Sequence, residues 1–351
     1  MWVFGLAVAV LAVLTAASHR LYLIGFATGE KEHAEPGIPE GCSQAVYLDQ
    51  VQEKFDRLKA LPCQQVSITA QDGTPLAGRY YHQKDGAPTV LFFHGWRSSA
   101  FRDGCAAFWL CREAGYNVLM ADQRGHGRSG GKCLTMGVRE RDDCAAWAQW
   151  AAGQQPGVPL ALMGVSMGAA TVLMASDRGL PDAVRAIVAD CGYTSPREIL
   201  RKCVPEMLPG VPVWLGYTVG WLGAVLFGHF NPNAADARRA LAASRVPVLF
   251  LHGEADDFVP CQMTLDNYAA CAAPKRLVTF PGASHAICCY ADPERYRREV
   301  TQFLAEYLTP PDGASRSVAH DSLADFRTVR NFCKKGLHFT NVSAIITMLP
   351  A

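Results

Sequence analysis

The hydrophobic pattern of the chain begins with an apolar leader. Residues Trp2 to Ala17 are almost continuously apolar, and Leu21 to Ala27 form a second apolar stretch after Arg20. The first stretch is too short to cross a bilayer, whereas both together are long enough if the Arg20 side chain reaches the interface. We therefore predict a single-pass transmembrane anchor over residues 1–28, which would locate the protein in a membrane.

A cleaved signal peptide is the competing interpretation, because Thr15-Ala16-Ala17 offers small residues for a cleavage site. Against it, no positively charged segment precedes the apolar stretch. Arg20 and Lys31 weakly favour a cytoplasmic catalytic domain. The side of the membrane stays open.

Strands and helices alternate after a charged, proline-containing stretch at 29–46, which predicts a linker. Asp72-Gly73 predicts the turn of an opening hairpin. The strands predicted after it are short and mostly apolar: 89–93, 117–121, 159–163, 184–189, 246–251 and 276–280. Because helical patterns separate most of them, we predict an α/β domain over 47–308 with a doubly wound, mostly parallel sheet. A tail, 309–351, follows the last predicted helix.

An insertion at about 195–244 lies between the predicted strands 184–189 and 246–251, which are the sixth and seventh when the two hairpin strands are counted. Residues 211–230 contain no charged residue, so length alone permits a second membrane span. Pro212 and four glycines interrupt this stretch, and both of its ends must return to one sheet. We therefore predict an apolar helical lid that suits acyl or aromatic groups better than charged peptides.

Composition removes several classes of function. The formal net charge is +1 and no long basic run occurs, which argues against nucleic acid as a partner. Thirteen cysteines are scattered without a C-x-x-C pair, and H-E-x-x-H is absent, so no zinc site is indicated. We predict reduced cysteines, with the adjacent Cys288 and Cys289 in packing roles.

A G-x-S-x-G segment, Gly164 to Gly168, stands between a predicted strand and a predicted helix. This context is typical of a nucleophile elbow, in which a strained turn exposes the serine hydroxyl at a helix N-terminus. Ser166 is the candidate nucleophile. The backbone N–H of Met167 is a candidate donor to an oxyanion.

A second oxyanion donor is expected after the third strand, where His94-Gly95-Trp96 stands. The backbone N–H of Trp96 is the candidate, and His94 is predicted to be a packing residue. The base and the acid are expected on later strand ends, in the order Ser, Asp, His. His285 is the candidate base, and the adjacent Asp256 and Asp257 are both candidates for the acid that orients it.

The chain resembles the α/β-hydrolase superfamily, and more narrowly the serine aminopeptidase-like (S33-type) hydrolases and the membrane-anchored bacterial hydrolases of the Bem46 group. The similarity covers about residues 47–308 and is carried by five segments: His94–Trp96, Asp122–Ser129, Gly164–Gly168, His252–Pro260 and Gly282–His285. The family pattern H-G-x-x-D-x-x-V-P favours Asp256 over Asp257. The resemblance also implies that Asp122–Ser129 is structural, so that His126 is not the base.

The resemblance and the residues together imply acyl transfer through a Ser166, Asp256 and His285 triad, with Trp96 and Met167 forming the oxyanion hole. We expect a serine hydrolase of carboxylic esters, with a small acyl substrate that is apolar or lipid-like. A peptidase or amidase of the S33 type is a second hypothesis, and a catalytically silent, membrane-tethered binding module is a third. No metal or organic cofactor is expected, and the oligomeric state stays open.

Overall fold

The computed structural model describes residues 2–34 and 46–309. Most of the predicted linker and the predicted tail therefore lie outside the described residues. The strands in chain order are β1 (Gln64–Thr69), β2 (Pro75–Tyr81), β3 (Thr89–Phe93), β4 (Asn117–Ala121), β5 (Leu160–Val165), β6 (Val184–Asp190), β7 (Val248–Gly253) and β8 (Lys275–Phe280). The helices are α1 (Trp2–Gly25), α2 (Glu30–His33), α3 (Leu48–Ala60), α4 (Ala100–Glu113), α5 (Glu140–Gln154), α6 (Met167–Ala175), α7 (Pro196–Met207), α8 (Val213–Leu226), α9 (Ala237–Ala243), α10 (Cys261–Ala270), α11 (Cys288–Ala291) and α12 (Pro293–Leu308).

All eight strands form one sheet, in the order β1-β2-β4-β3-β5-β6-β7-β8. The hairpin strands β1 and β2 pair antiparallel, and β2 is also antiparallel to β4. Every other neighbouring pair is parallel. The structure confirms the predicted mostly parallel α/β fold, and parallel strands bring their carboxyl ends to one edge, where sites form.

Helices cover both faces of the sheet, which explains why the central strands are apolar at successive positions. On β3, Leu91 and Phe93 pack into one hydrophobic layer with residues of α5 and α6. Val90 and Phe92 on the same strand pack into the opposite layer with residues of α3, α4 and α12. This alternation is the two-residue period of a strand whose two faces are both buried.

The insertion between β6 and β7 folds into α7, α8 and α9 with a 3-10 turn at Pro232–Ala234. We call this segment the cap. Its uncharged stretch forms α8, a 14-residue helix that packs against both α7 and α1. Such a helix is shorter than the roughly 20 residues that a transmembrane helix requires.

The two halves of α1 differ in their surroundings. From Trp2 to Ala17 the helix is almost entirely exposed, and Ser18 is its first buried residue. Gly223 of α8 sits so close to this point that an added Cβ would lie 2.3 Å from the Ser18 carbonyl oxygen. Among the described helices, α1 is the one long and apolar enough to cross a membrane.

The residues after α1 are built into the domain. Phe26 is 2% exposed, Ala27 forms a β-bridge with Cys133, and the Thr28 N–H donates to the Lys132 carbonyl over 3.0 Å. The turn α2 follows, where sequence alone predicts a linker. The difference arises because Glu32 is buried in α2 by contacts with distant loops, which no local pattern reveals.

We expect Gly223→Ala to destabilise the domain by about 1–3 kcal/mol, because its methyl group would force α1 and α8 apart. Gly220→Ala in the same helix is the matched control. Its Cβ would meet only the Leu21 side chain, at 3.9 Å, so it should leave stability unchanged or raise it by up to about 1 kcal/mol. Thermal unfolding of both variants in detergent checks this, and equal melting temperatures would contradict the close packing of α1 on α8.

Candidate active site

Ser166 occupies the sharp turn between β5 and α6. Its backbone has φ +55° and ψ −117°, a left-handed conformation that is strained for a residue with a side chain. The N–H of Ser166 donates to the Asp190 carbonyl of the neighbouring strand over 2.8 Å, which holds the turn in place. An added Cβ on Gly168 would lie 2.0 Å from the Phe93 carbonyl oxygen, so only glycine lets α6 begin this close to β3. The elbow predicted from G-x-S-x-G is present.

The three predicted triad side chains meet at the carboxyl end of the sheet. His285 Nε2 lies 2.9 Å from Ser166 Oγ, and His285 Nδ1 lies 2.7 Å from Asp256 Oδ2. The other carboxylate oxygen of Asp256 accepts the backbone N–H groups of Phe258 and Val259 over 3.0 and 2.8 Å. A neutral His285 with its proton on Nδ1 would donate to Asp256 and accept the proton of Ser166.

Burial and charge together set the protonation of the Asp256–His285 pair. Burial alone would raise the pKa of Asp256, but His285 and a hydrogen bond from His252 outweigh it and hold that pKa well below its usual range. Burial would likewise lower the pKa of His285, but the Asp256 carboxylate raises it above its ordinary value of 6.5. The pair therefore stabilises an imidazolium at this position.

The geometry distinguishes the two adjacent aspartates. The side chain of Asp256 is fully buried between His252 and His285. Asp257 is exposed, and its backbone carbonyl accepts a hydrogen bond from Lys202 of the cap. The structure thus brings Asp256, and not Asp257, to the histidine.

The two predicted oxyanion donors flank the serine. An added Cβ on Gly95 would lie 3.4 Å from the Ser166 Cβ, so the loop that carries Trp96 runs directly beside the nucleophile. Met167 is the first residue of α6. No acceptor within residues 2–34 and 46–309 takes the backbone N–H of either Trp96 or Met167.

Two other histidines of the predicted motifs, His94 and His126, are buried and have structural roles. His94 is fully buried, and its Nε2 accepts the Gln123 N–H over 3.1 Å. His126 packs edge-on against His94, with its Nδ1 3.0 Å from the Arg124 carbonyl oxygen. Arg124 itself makes a bidentate ion pair with Asp143, both contacts being 2.6 Å. These contacts agree with the structural role that the resemblance implies for Asp122–Ser129.

Sequence reasoning missed three residues next to the site. Asp103 at the start of α4 accepts the Gly95 N–H over 2.7 Å and so fixes the loop before Trp96. Asp190 is buried behind Ser166, and burial raises its pKa to about 6. Cys191 follows it with φ +51°. Asp190 and Cys191 directly follow the predicted strand 184–189, which is a weak sequence signal for a place near the site. No sequence pattern indicates a role for Asp103.

Cys191, Asp256 and His285 form the one group in the described ranges whose ligand atoms lie close enough to hold a metal ion, within 4.8 Å of one another. Burial raises the pKa of the Cys191 thiol well above its usual range, so the thiolate that a metal would need is disfavoured. Both ring nitrogens of His285 are already in hydrogen bonds. The donor set therefore fits proton transfer better than metal binding.

Comparison with known proteins identifies the family of the chain. A family model described as serine aminopeptidase, S33, matches residues 85–223. The uncharacterized protein YfhR of Salmonella typhi is 30% identical over 238 residues, which cover 63% of this chain and 73% of that protein. The chain belongs to the serine aminopeptidase S33 family of α/β-hydrolases.

Other similarities of this S33-family chain are more distant. The bifunctional esterase/perhydrolase DCH of Acinetobacter calcoaceticus is 27% identical over 262 residues, which cover 63% of this chain and 92% of that protein. The structure of the Pyrococcus furiosus esterase PF2001 matches with a TM-score of 0.60 at 22% identity, covering 78% of this chain and 97% of that one. At this identity the structural match confirms the fold alone.

For this S33-family chain we expect the reaction of Ser166 with a fluorophosphonate probe to accelerate as pH rises, with a midpoint above 6.5. The reason is that only neutral His285 accepts the serine proton, and Asp256 keeps His285 protonated to a higher pH than a free histidine. Rates of labelling measured from pH 5 to 9 check this.

Two matched variants separate the adjacent aspartates. Asp256→Asn should lower the midpoint and slow labelling by up to about 10⁴-fold. Asp257→Asn, one residue away and exposed, should keep the wild-type profile. Equal effects of the two substitutions would contradict the assignment of Asp256.

Proposed function

We propose that this protein is a serine hydrolase that cleaves carboxylic esters through an acyl-enzyme. The observation that carries the proposal is the continuous chain of hydrogen bonds from Asp256 through His285 to Ser166, with both N–O distances at 2.9 Å or less. A buried carboxylate, a histidine and a serine in this order are the arrangement that activates a hydroxyl for attack on a carbonyl.

In the proposed mechanism His285 Nε2 takes the proton of Ser166 as Oγ attacks the substrate carbonyl. The backbone N–H groups of Trp96 and Met167 stabilise the oxyanion of the tetrahedral intermediate. The His285 imidazolium then protonates the leaving alcohol, and an acyl-serine forms. Water that His285 deprotonates attacks the acyl group, and return of the proton to Ser166 completes hydrolysis.

The charges of the cap favour esters over peptides with a free amino terminus. An aminopeptidase must bind a cationic amine, for which a carboxylate is the ordinary partner. The cap segment 195–244 contains three carboxylates, and each is already in an ion pair: Glu198 and Asp236 with Arg238, and Glu206 with Lys202. The uncharged helix α8 instead supplies apolar surface to this segment.

The relatives offer support in the same direction. The Acinetobacter relative is named as an esterase/perhydrolase. That name does not identify an acyl group for this chain. We infer from the uncharged helix α8 of the cap that the acyl group is apolar or lipid-like. Cleavage of peptides or amides, which the family description suggests, is the second candidate.

We expect the full chain to be labelled at Ser166 by a fluorophosphonate probe and to hydrolyse aryl and acyl-glycerol esters faster than aminoacyl amides. Ser166→Ala should abolish labelling and lower ester turnover by at least about 10³-fold. Mass spectrometry of the labelled peptide and a matched panel of esters and amides check both points. Ester turnover that survives Ser166→Ala would overturn the proposal, and a preference for amides would favour the peptidase. A folded protein that neither labels nor turns over either class would favour the silent binding module.

We further propose that α1 anchors the enzyme in a membrane: its exposed half, Trp2 to Ala17, lies in the bilayer, and the rest of the helix, which a complete span requires, docks on the cap. Support comes from the exposure of large apolar side chains along this half, including Val8 at 51% and Leu11 at 65%. In water such a surface is unfavourable, and a bilayer removes it. The placement would set the cap beside lipid.

We expect the double variant Val8→Lys and Leu11→Lys to be released from membranes by an alkaline carbonate wash that leaves the wild-type chain bound. Each buried charge would cost about 2.5–3.5 kcal/mol at the centre of a span. Val46→Lys is the control, since Val46 is 82% exposed but lies outside α1. Wild-type protein that washes off, with its first peptide missing by mass spectrometry, would instead show a cleaved signal sequence.

A further inference from the structure

Arg97, the residue after the proposed oxyanion donor Trp96, is held in an unusual conformation. Its φ is +48°, which a residue with a side chain adopts only where surrounding contacts compensate the strain. The side chain is largely buried, at 16% exposure. Contacts between Arg97 and residues outside its loop therefore stabilise this backbone conformation.

The stabilising contacts come from the carboxyl end of α1 and the residues directly after it. The Arg97 guanidinium donates to the backbone carbonyls of Ile24 over 3.0 Å and Ala27 over 2.7 Å. The last carbonyls of a helix lack partners within the helix and carry partial negative charge, so a cation with several N–H donors suits this position. Arg97 thus caps α1.

A buried carboxylate completes the arrangement. Glu32 of α2 forms an ion pair with Arg97, and its side chain is 9% exposed. Its other oxygen accepts the Gly29 N–H over 2.8 Å. The Glu32 backbone carbonyl accepts the Gly127 N–H over 2.9 Å, which ties the same turn to a second loop of the site. Glu32 therefore joins α2, Arg97 and the Asp122–Ser129 loop.

Trp96 is itself held at the same place. Its indole Nε1–H donates to the Gly25 carbonyl, the last residue of α1, over 3.1 Å. On the other side of the loop Asp103 fixes the Gly95 N–H. The carbonyl oxygen of the peptide group that carries the Trp96 N–H also lies 2.9 Å from His94 Nδ1. This peptide group therefore has supports before and after it, and two of them, through Trp96 and Arg97, come from the end of α1.

We infer that Arg97 and Glu32 are positioning residues that use the docked end of α1 to aim the Trp96 N–H at the oxyanion. This inference rests on the proposed function for its catalytic consequence. A misplacement of the donor by about 1 Å is enough to cost a large part of its effect on the rate. The loop and α1 therefore act as one unit, and neither Arg97 nor Glu32 needs to touch the substrate.

The test uses the full chain and the variant Arg97→Gln. We expect kcat for an ester to fall about 10- to 100-fold with KM within about threefold, because the donor acts on the transition state rather than on the bound ester. The Ki of an aryl trifluoromethyl ketone, which forms a tetrahedral adduct on the serine, should rise by the same factor as kcat/KM falls. Glu32→Gln should show the same pattern to a smaller extent.

Two further variants separate positioning from general destabilisation. Arg276→Gln breaks another arginine–glutamate pair, that of Arg276 with Glu306 at 3.1 Å, and should leave kcat and Ki unchanged. Arg97→Lys keeps the charge beside Glu32 but lacks the planar fork, so it should fold and recover only part of kcat. An unchanged trifluoromethyl ketone Ki in both Arg97 variants would overturn the inference.

Hydrogen exchange separates this inference from the proposed function. Backbone amides of residues 94–99 should exchange about tenfold faster in Arg97→Gln than in Arg276→Gln, because local opening becomes easier. If the wild-type chain neither hydrolyses esters nor labels at Ser166, the proposed function fails and this exchange alone decides whether Arg97 positions the loop. Equal exchange in the two variants would overturn the positioning role.

Discussion

The close approach of α6 to the central strands is the constraint on which the site depends. Gly164 and Gly168 face each other across the elbow, and an added Cβ on Gly164 would lie 2.4 Å from the Gly168 backbone. With this contact in place, Ser166 is forced into its left-handed conformation and its hydroxyl projects from the edge of the sheet. The loops that follow β3, β7 and β8 then need only reach this same edge to deliver the other groups. The strained backbone of Ser166 thus fixes the position that the other groups of the site must reach.

The fold and the triad could be predicted from the sequence because their signals are local. The central strands appear in the sequence as short apolar segments, and Asp72-Gly73 marks the hairpin that pairs β1 with β2. Ser166 stands immediately after such a segment, and His285 stands on the loop that follows another. Since parallel strands end at one edge, chain order alone placed them together. The choice of Asp256 over Asp257 needed a family pattern, because the two adjacent carboxylates lie on the same loop after β7 and differ only in which one is buried.

The docking of α1 could not be predicted, because it depends on contacts between residues far apart in the chain. The apolar pattern of α1 describes its exposed half well but gives no sign that Phe26 enters the core or that Glu32 meets Arg97. Arg97 likewise resembles any polar loop residue until its φ and its partners are known. The predicted linker misses α2 for the same reason, since a four-residue helical turn owes its stability to tertiary contacts and not to propensity.

Ser18, the first buried residue of α1, comes directly after the small residues Thr15-Ala16-Ala17. The boundary between the exposed and docked halves of α1 therefore coincides with the position where a signal peptidase would cut if the leader were a signal peptide. A chain shortened there would keep the Gly223 contact, the buried Phe26 and the caps on the helix end. Tethered and released forms of this enzyme would then share one architecture, and location could change without altering the folded domain.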